Sequence, residues 1–82
     1  MEGTIGEIVL FAGNFAPKNW HFCDGQLMRI SKNPALFSIL GCQYGGDGES
    51  SFALPKIDGP APNLHYIICL NGNYPPRSWY ER

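Results

Sequence analysis

The chain lacks the long apolar runs and the basic clusters that mark membrane-spanning and nucleic-acid-binding proteins. No stretch approaches the roughly 20 apolar residues that a helix needs to cross a bilayer. The formal net charge is −1, and no run of lysine or arginine is present to neutralise phosphates. We therefore expect no nucleic-acid partner and no membrane insertion. The first residues do not resemble a secretory signal, which predicts folding in a cytoplasm.

Charged residues are also scarce, at 16% of the 82 positions, whereas 44% are hydrophobic and 13% aromatic. This balance is not that of a disordered chain. A domain of this size has only a small core, so we predict a single domain over residues 1–82 that completes its core by oligomerising or by joining a larger assembly. Residues 73–82 form a polar, aromatic tail that is either loosely ordered or packed on a partner.

Cysteine occurs in an odd number, and Cys23, Cys42 and Cys69 are widely spaced, which favours free, buried thiols over disulfides. His21 and Cys23 share one face of a candidate strand, as do His65 and Cys69. These four residues are weak candidates for a zinc site if the two strands are neighbours. Their spacings match no familiar zinc module, so we predict no metal and no cofactor. No pattern brings a nucleophile, a base or a carboxylate pair together, so we predict that the protein is not an enzyme.

The chain is organised around residues 33–55, which read as a helix, a glycine-rich loop and a strand. Asn33 suits an N-cap, Pro34 suits the first helical position, and Gly41 suits a left-handed C-terminal cap, which together predict a helix from Pro34 to Leu40. So short a helix is unstable alone. It must therefore be held by packing on its apolar residues, which are Leu36, Phe37, Ile39 and Leu40.

The loop after this helix has three glycines in four positions, a pattern that first suggests a phosphate cradle. No Gly-Lys-Ser/Thr sequence follows it, and Asp47 and Glu49 would repel a phosphate. Two carboxylates also make only a weak case for calcium. We therefore predict a structural reversal from the helix into a short strand that ends at Pro55, with Gly45 and Gly46 as turn residues.

Short strands are predicted around this unit. Residues 5–11 are apolar on both faces towards their end, which suits a strand that is covered on both sides or that contacts a neighbouring subunit. Residues 65–70 have the same character. Asp24-Gly25 predicts a hairpin. Phe15 and Trp20 are expected to fill the open side of the core, with an exposed aromatic contact surface as the alternative. The predicted core and turn residues are Phe15, Trp20, Asp24, Gly25, Leu36, Phe37, Leu40, Gly45, Gly46 and Phe52.

Several motifs stand in a specific order: Phe15-Ala16-Pro17 with Trp20, Cys23-Asp24-Gly25-Gln26, Ala35-Leu36-Phe37, Tyr44-Gly45-Gly46-Asp47-Gly48 and Phe52-Ala53-Leu54-Pro55. Their order and spacing closely resemble the phage tail collar domain family, which includes the microcystin-dependent proteins. Residues 65–72 look like the closing strand and turn of that family.

The resemblance implies an α+β fold, in which short β-strands and hairpins pack around one short helix. It also implies a structural or attachment role in a virion tail or tail fibre, with no catalysis. Because such domains commonly sit near the tips of trimeric fibres, a homo-oligomer is expected and a trimer is favoured. Other tail proteins or a host component are the further partners that it implies.

One feature departs from the family, because residues 56–64 stand where relatives usually carry a long variable segment. That shortening puts contact with a host surface in doubt. The alternative function is a small soluble binding module of the same fold, which captures a small molecule or a host protein where subunits meet. Its pocket would be lined by Trp20, Tyr44, Tyr66 and Trp79.

Overall fold

A computed structural model describes residues 1–76, which form five strands and one helix. In chain order these are β1 (Ile8–Phe11), β2 (Trp20–Phe22), β3 (Leu27–Arg29), α1 (Pro34–Leu40), β4 (Ser51–Ala53) and β5 (His65–Cys69). A 3₁₀ turn, Ile30–Lys32, leads into the helix. The α+β class, with short strands around one short helix, is confirmed. Within residues 1–76, no helix has the length and apolar character that crossing a membrane requires.

The strands form two antiparallel sheets. The larger sheet has the order β1-β5-β2, with Val9 opposite Ile67 on one side of β5 and Phe22 opposite the same residue on the other. The smaller sheet pairs β3 with β4 and places Met28 opposite Phe52. Because β5 is last in the sequence and central in its sheet, the larger sheet depends on residues 65–69 to hold its two outer strands.

The predicted hairpin at Asp24-Gly25 is wrong, because β2 and β3 belong to different sheets. The chain passes from one sheet to the other at these two residues. Gly25 has a φ of +83°, and the Asp24 carboxylate accepts the backbone N–H of Gln26 at 3.0 Å. The turn chemistry was therefore identified correctly. The two arms of the expected hairpin, β2 and β3, have only three residues each, which is too short for a stable pairing with each other. Each arm pairs instead with a strand that is distant in sequence.

The helix begins and ends where the sequence predicts, at Pro34–Leu40. Gly41 has a φ of +61° and donates its N–H to the carbonyl of Phe37 at 2.7 Å. Asn33 occupies the N-cap position but does not cap the helix with its side chain. Its amide nitrogen instead donates to the carbonyl of Arg29 at 3.1 Å, which ties the helix start to the end of β3.

Two apolar clusters lie on the two faces of the larger sheet. Neighbouring residues of a strand point to opposite faces, so Ile68 enters one cluster and Ile67 enters the other. The cluster on the helix side, called here the main core, contains Ile5, Cys23, Leu36, Leu40, Phe52, Leu54 and Ile68. The opposite cluster contains Trp20, Ile67 and Cys69. Residues 65–69 thus join both halves of the interior.

The aromatic residues that the sequence predicts in the core differ in how deeply they are buried. Trp20 is 5% exposed and donates its indole N–H to the carbonyl of Met1, so its predicted core position is confirmed. Phe37 is half-buried at the rim of the main core, with its ring centre 5.4 Å from that of the fully buried Phe52. The prediction that Phe15 fills the core is wrong, because this side chain is 71% exposed.

The start of the predicted tail packs on the domain itself. Asn73 donates its N–H to the carbonyl of Gly3 at 3.0 Å and accepts the N–H of Ile5 at 2.8 Å. Pro75 is buried. The sequence predicts a tail that is either loosely ordered or packed on a partner. Packing against its own chain is neither of these. The rest of the predicted tail lies outside the described residues.

Candidate functional site

The glycine-rich loop is held together by the carboxylate of Asp47. Its Oδ1 accepts the backbone N–H groups of Ser50, Ser51 and Glu49 at 2.8, 2.9 and 2.9 Å, and its Oδ2 accepts the hydroxyl of Ser50 at 2.9 Å. These hydrogen bonds, first among them the one from the Ser50 backbone, hold the pKa of Asp47 well below its usual range. The carboxylate thus has a structural role inside its own loop.

The two predicted turn glycines bring this loop against β4. Gly46 has a φ of +88°, and a Cβ at this position would lie 2.5 Å from the Cα of Phe52. Gly45 accepts the N–H of Ala53 at 3.0 Å. The loop therefore covers the outer edge of β4, which confirms the structural interpretation of Gly45 and Gly46.

The four weak zinc candidates do not converge within one copy of the chain. His21 lies opposite Ile68 on the larger sheet, and Cys23 belongs to the same main core as Ile68. Because strand neighbours alternate, His65 and Cys69 lie on the other face, with Ile67. Among residues 1–76, no group of three or more histidine, cysteine and carboxylate side chains could hold a metal ion.

All three cysteines are free thiols, as predicted. Cys23 and Cys69 are buried, but Cys42 is exposed, which corrects the expectation that all three are buried. Burial, together with the nearby carboxylate of Asp24, raises the pKa of Cys23 to about 11. Burial also raises the pKa of Cys69. Because the thiolate is the nucleophile, burial and a raised pKa both disfavour reaction of these two cysteines near neutral pH.

The four aromatic residues of the predicted binding pocket occupy different parts of the molecule. Trp20 is buried on one face of the larger sheet, and Tyr66 packs against the main core on the opposite face. Tyr44 is exposed on the loop after α1, and Trp79 lies outside the described residues. Trp20 and Tyr66 therefore do not share a pocket within one copy. A pocket formed where subunits meet stays a prediction.

Tyr66 does line a small cleft of about 180 Å³, between the larger sheet and the connection that leads to β5. Aromatic and charged residues are among those that line it: Phe22, His65, Tyr66, Asp24, Lys56 and Asp58. The ring of His65 meets that of Phe22 edge-on at a centre distance of 5.1 Å. The volume is below the roughly 300–1,000 Å³ of typical ligand pockets, so the cleft suits only a small group.

The outer strand β1 carries apolar side chains that the fold does not cover. Ile8 is 37% exposed and Leu10 is 45% exposed. The first interpretation of residues 5–11, a strand covered on both faces, is therefore wrong for these two side chains. Contact with a neighbouring subunit, the second interpretation, stays a prediction. The apolar residues of this stretch cannot distinguish a strand that its own chain covers on both faces from one that contacts a neighbouring subunit. Both arrangements require apolar side chains at the same positions.

The sequence profile of the phage tail collar domain matches residues 6–62, more than two thirds of the chain. The chain belongs to the phage tail collar domain family. No curated protein matches the chain significantly. The family match includes β1 to β4 and the helix of this collar domain, but it ends before β5. The resemblance of residues 65–72 to the closing strand of the family thus stays a prediction.

The resemblance identified from the sequence motifs is confirmed by this match. The matched region holds the collar motifs at Trp20, at Asp24-Gly25 and at residues 44–48, which the structure places in the core, at the crossing between sheets and in the loop on β4. Membership assigns the chain to a structural family of phage tails and implies a component of a virion tail.

Proposed function

We propose that this collar domain is a non-enzymatic structural or attachment protein of a phage tail or tail fibre, and that it works as an oligomer. The observation that carries the proposal is the family match over residues 6–62. The burial of Cys23 and Cys69, and the hydrogen bonds that hold the Asp47 carboxylate in its own loop, support a role without catalysis.

Exposed apolar side chains support the oligomer. Within residues 1–76, large hydrophobic residues are exposed at eight positions: Met1, Ile8, Leu10, Phe15, Leu27, Tyr44, Ile57 and Tyr74. Single exposed hydrophobic residues are ordinary, but so many on one small surface favour contact with other protein. The trimer implied by the family resemblance stays a prediction, as do contacts with other tail proteins or with a host component.

Assembly is the better supported of the two roles. The connection between β4 and β5 occupies residues 54–64, and it includes residues 56–64, where the family resemblance implies a long variable segment. A short connection offers little surface for a receptor, whereas the exposed apolar side chains remain available for packing within a tail.

Disruption of the gene in a strain that produces particles tests the proposal. We expect incomplete tails, visible by electron microscopy, if the role is assembly, and complete tails with poor adsorption if the role is attachment. Wild-type protein supplied in trans should restore both properties. Normal tails together with normal adsorption after disruption would overturn the proposal.

The cleft beside Tyr66 supports a second candidate, a small binding module of the same fold. We propose that it would take a small polar ligand with an aromatic or apolar face, because aromatic side chains line it together with the charged residues Asp24 and Lys56. A thermal-shift screen of metabolites tests this candidate. The shift should grow with the logarithm of ligand concentration and should disappear in Tyr66→Ala but not in Tyr44→Ala. A broad screen without any shift would reject it.

A further inference from the structure

One asparagine of the chain is followed by glycine. The pair Asn71-Gly72 stands at the turn after β5, whereas the residues that follow the other five asparagines are proline or carry large side chains. An asparagine side chain can be attacked by the backbone nitrogen of the next residue. Proline has no N–H for this attack, and a Cβ hinders the approach, so a following glycine favours it. The sequence therefore places the most reactive asparagine at this turn.

Both reacting groups are free in the folded chain. In the part of the chain that the structure describes, the side-chain amide of Asn71 and the N–H of Gly72 make no hydrogen bond. The backbone is held just after them, since Asn73 donates its N–H to the carbonyl of Gly3 at 3.0 Å. Asn71 and Gly72 are both exposed, so water reaches the side chain.

The fold itself requires glycine at position 72. A Cβ there would lie 2.3 Å from the carbonyl oxygen of Gly3 and 3.1 Å from the sulfur of Cys69. The turn can approach residue 3 this closely only without a side chain. A larger residue, which would slow the attack on Asn71, is thereby excluded. Packing thus maintains the pair that makes this asparagine reactive.

Aspartate followed by glycine can react by the same route, but only with a protonated carboxyl group, because a carboxylate is a poor target for a nucleophile. In Asp47-Gly48 the carboxylate accepts hydrogen bonds inside its own loop. Gly48 donates its N–H to the carbonyl of Ser51 at 2.9 Å. Both reacting groups are occupied there, whereas both are free at Asn71-Gly72.

We infer that Asn71-Gly72 is a site of spontaneous deamidation, at which the folded protein forms aspartate and isoaspartate with water as the co-reactant. The deprotonated nitrogen of Gly72 forms a bond to Cγ of Asn71, and the side-chain nitrogen leaves as ammonia. Water then opens the resulting cyclic imide at one of its carbonyl groups, and nothing is oxidised or reduced. Opening at one carbonyl gives aspartate, and opening at the other gives isoaspartate, whose backbone runs through Cγ.

Isoaspartate would lengthen the backbone at the turn that holds the start of the chain. Before the site, the carbonyl of Cys69 accepts the N–H of Gly6 at 3.0 Å. After the site, the carbonyl of Asn73 accepts the N–H of Ile5 at 2.8 Å. An added backbone atom between these two carbonyls changes their separation, so both bonds cannot keep their present geometry. We expect the segment before β1 to loosen from the turn as isoaspartate accumulates.

Ageing of the purified full chain at mildly alkaline pH tests the modification. Mass spectrometry of peptides should show that Asn71 gains the mass expected when OH replaces NH₂, while the other asparagines stay intact. The rate should rise with pH, because Gly72 attacks through its deprotonated nitrogen. Asn71→Gln should abolish the change, because its longer side chain would have to close a larger ring. Asn73→Gln, on the other side of the glycine, is the matched control and should react like the wild type.

Hydrogen exchange tests the structural consequence. In the aged protein the amides of Ile5 and Asn73 should lose protection, whereas the amide of Ile30, just after β3, should keep it. Asn71→Asp adds the negative charge without the extra backbone atom. This variant should therefore keep both amides protected.

Several results would overturn the inference. One is an Asn71 that stays intact in the folded protein and deamidates only in urea, since the fold would then protect the site. Faster reaction at another asparagine, or an equal rate in Asn71→Gln, is another. Equal protection in fresh and isoaspartate-containing protein, or an equal loss in Asn71→Asp, would contradict loosening by the added backbone atom. None of these results bears on a place in a virion tail, so the proposed function is tested separately.

Discussion

Phe52 offers the sharpest test of the core, through the substitution Phe52→Ala. The side chain is fully buried in the main core, on the strand against which the glycine-rich loop packs. Replacing a buried phenylalanine by alanine costs about 3–5 kcal/mol. Domains of this length have a total free energy of unfolding of roughly 4–12 kcal/mol. The substitution should therefore remove a large part of the stability.

Urea titration followed by circular dichroism measures this loss. Phe15→Ala is the matched control, because it removes the same atoms from an exposed side chain and should change the free energy of unfolding by less than about 0.5 kcal/mol. If Phe52→Ala is unfolded without urea, Phe52→Leu, which removes less volume, should remain folded and lose about 1–2 kcal/mol.

The comparison of the two phenylalanines can refute the packing argument. A loss below about 1 kcal/mol for Phe52→Ala would show that the main core is not centred on this residue. An equal loss for Phe15→Ala would show that the Phe15 side chain fills the core, as the sequence first predicts.

Four further predictions concern the loop and the ionisable groups. Gly46→Ala should lower the free energy of unfolding by more than about 1 kcal/mol in urea titration, because it combines a positive φ with contact on the Phe52 backbone; an unchanged value would contradict that contact. In native protein Cys42 alone should react rapidly with a thiol reagent, and a second fast thiol would contradict the burial of the others. The free energy of unfolding should fall as pH rises from about 9 to about 11, because burial keeps the Cys23 thiol protonated in the folded state while the unfolded thiol ionises. Cys23→Ala should flatten this decline, and an identical profile would refute the assignment. The Asp47 pKa is lowered by folding, so its contribution to stability is present above about pH 4 and is lost as pH falls further. Asp47→Asn should flatten the acid decline that titrations at pH 7 and pH 3 measure, and an equal decline would contradict the hydrogen-bonded loop.

Local chemistry allowed the helix to be predicted from the sequence. Pro34 and Gly41 have fixed backbone preferences, and these set the two ends of α1 without reference to the rest of the chain. Gly45 and Gly46 were assigned as turn residues for the same reason. The family motifs added the collar fold, which composition alone does not specify.

Pairing over long distances in sequence could not be predicted in the same way. Asp24-Gly25 has the residues of a hairpin turn, but its two arms pair with β5 and β4 instead of each other. Phe15 and Phe52 are the same residue type in short apolar stretches, and their burial differs because only one stretch lies in a sheet.

The most direct test of the central claim is quantitative mass spectrometry of particles purified by density gradient from a strain that carries the gene. The account predicts that this collar domain co-purifies with the tail proteins at a fixed copy number per particle. Protein found only in the soluble lysate, and lost from the particles at the first gradient step, would contradict a structural role in the virion tail.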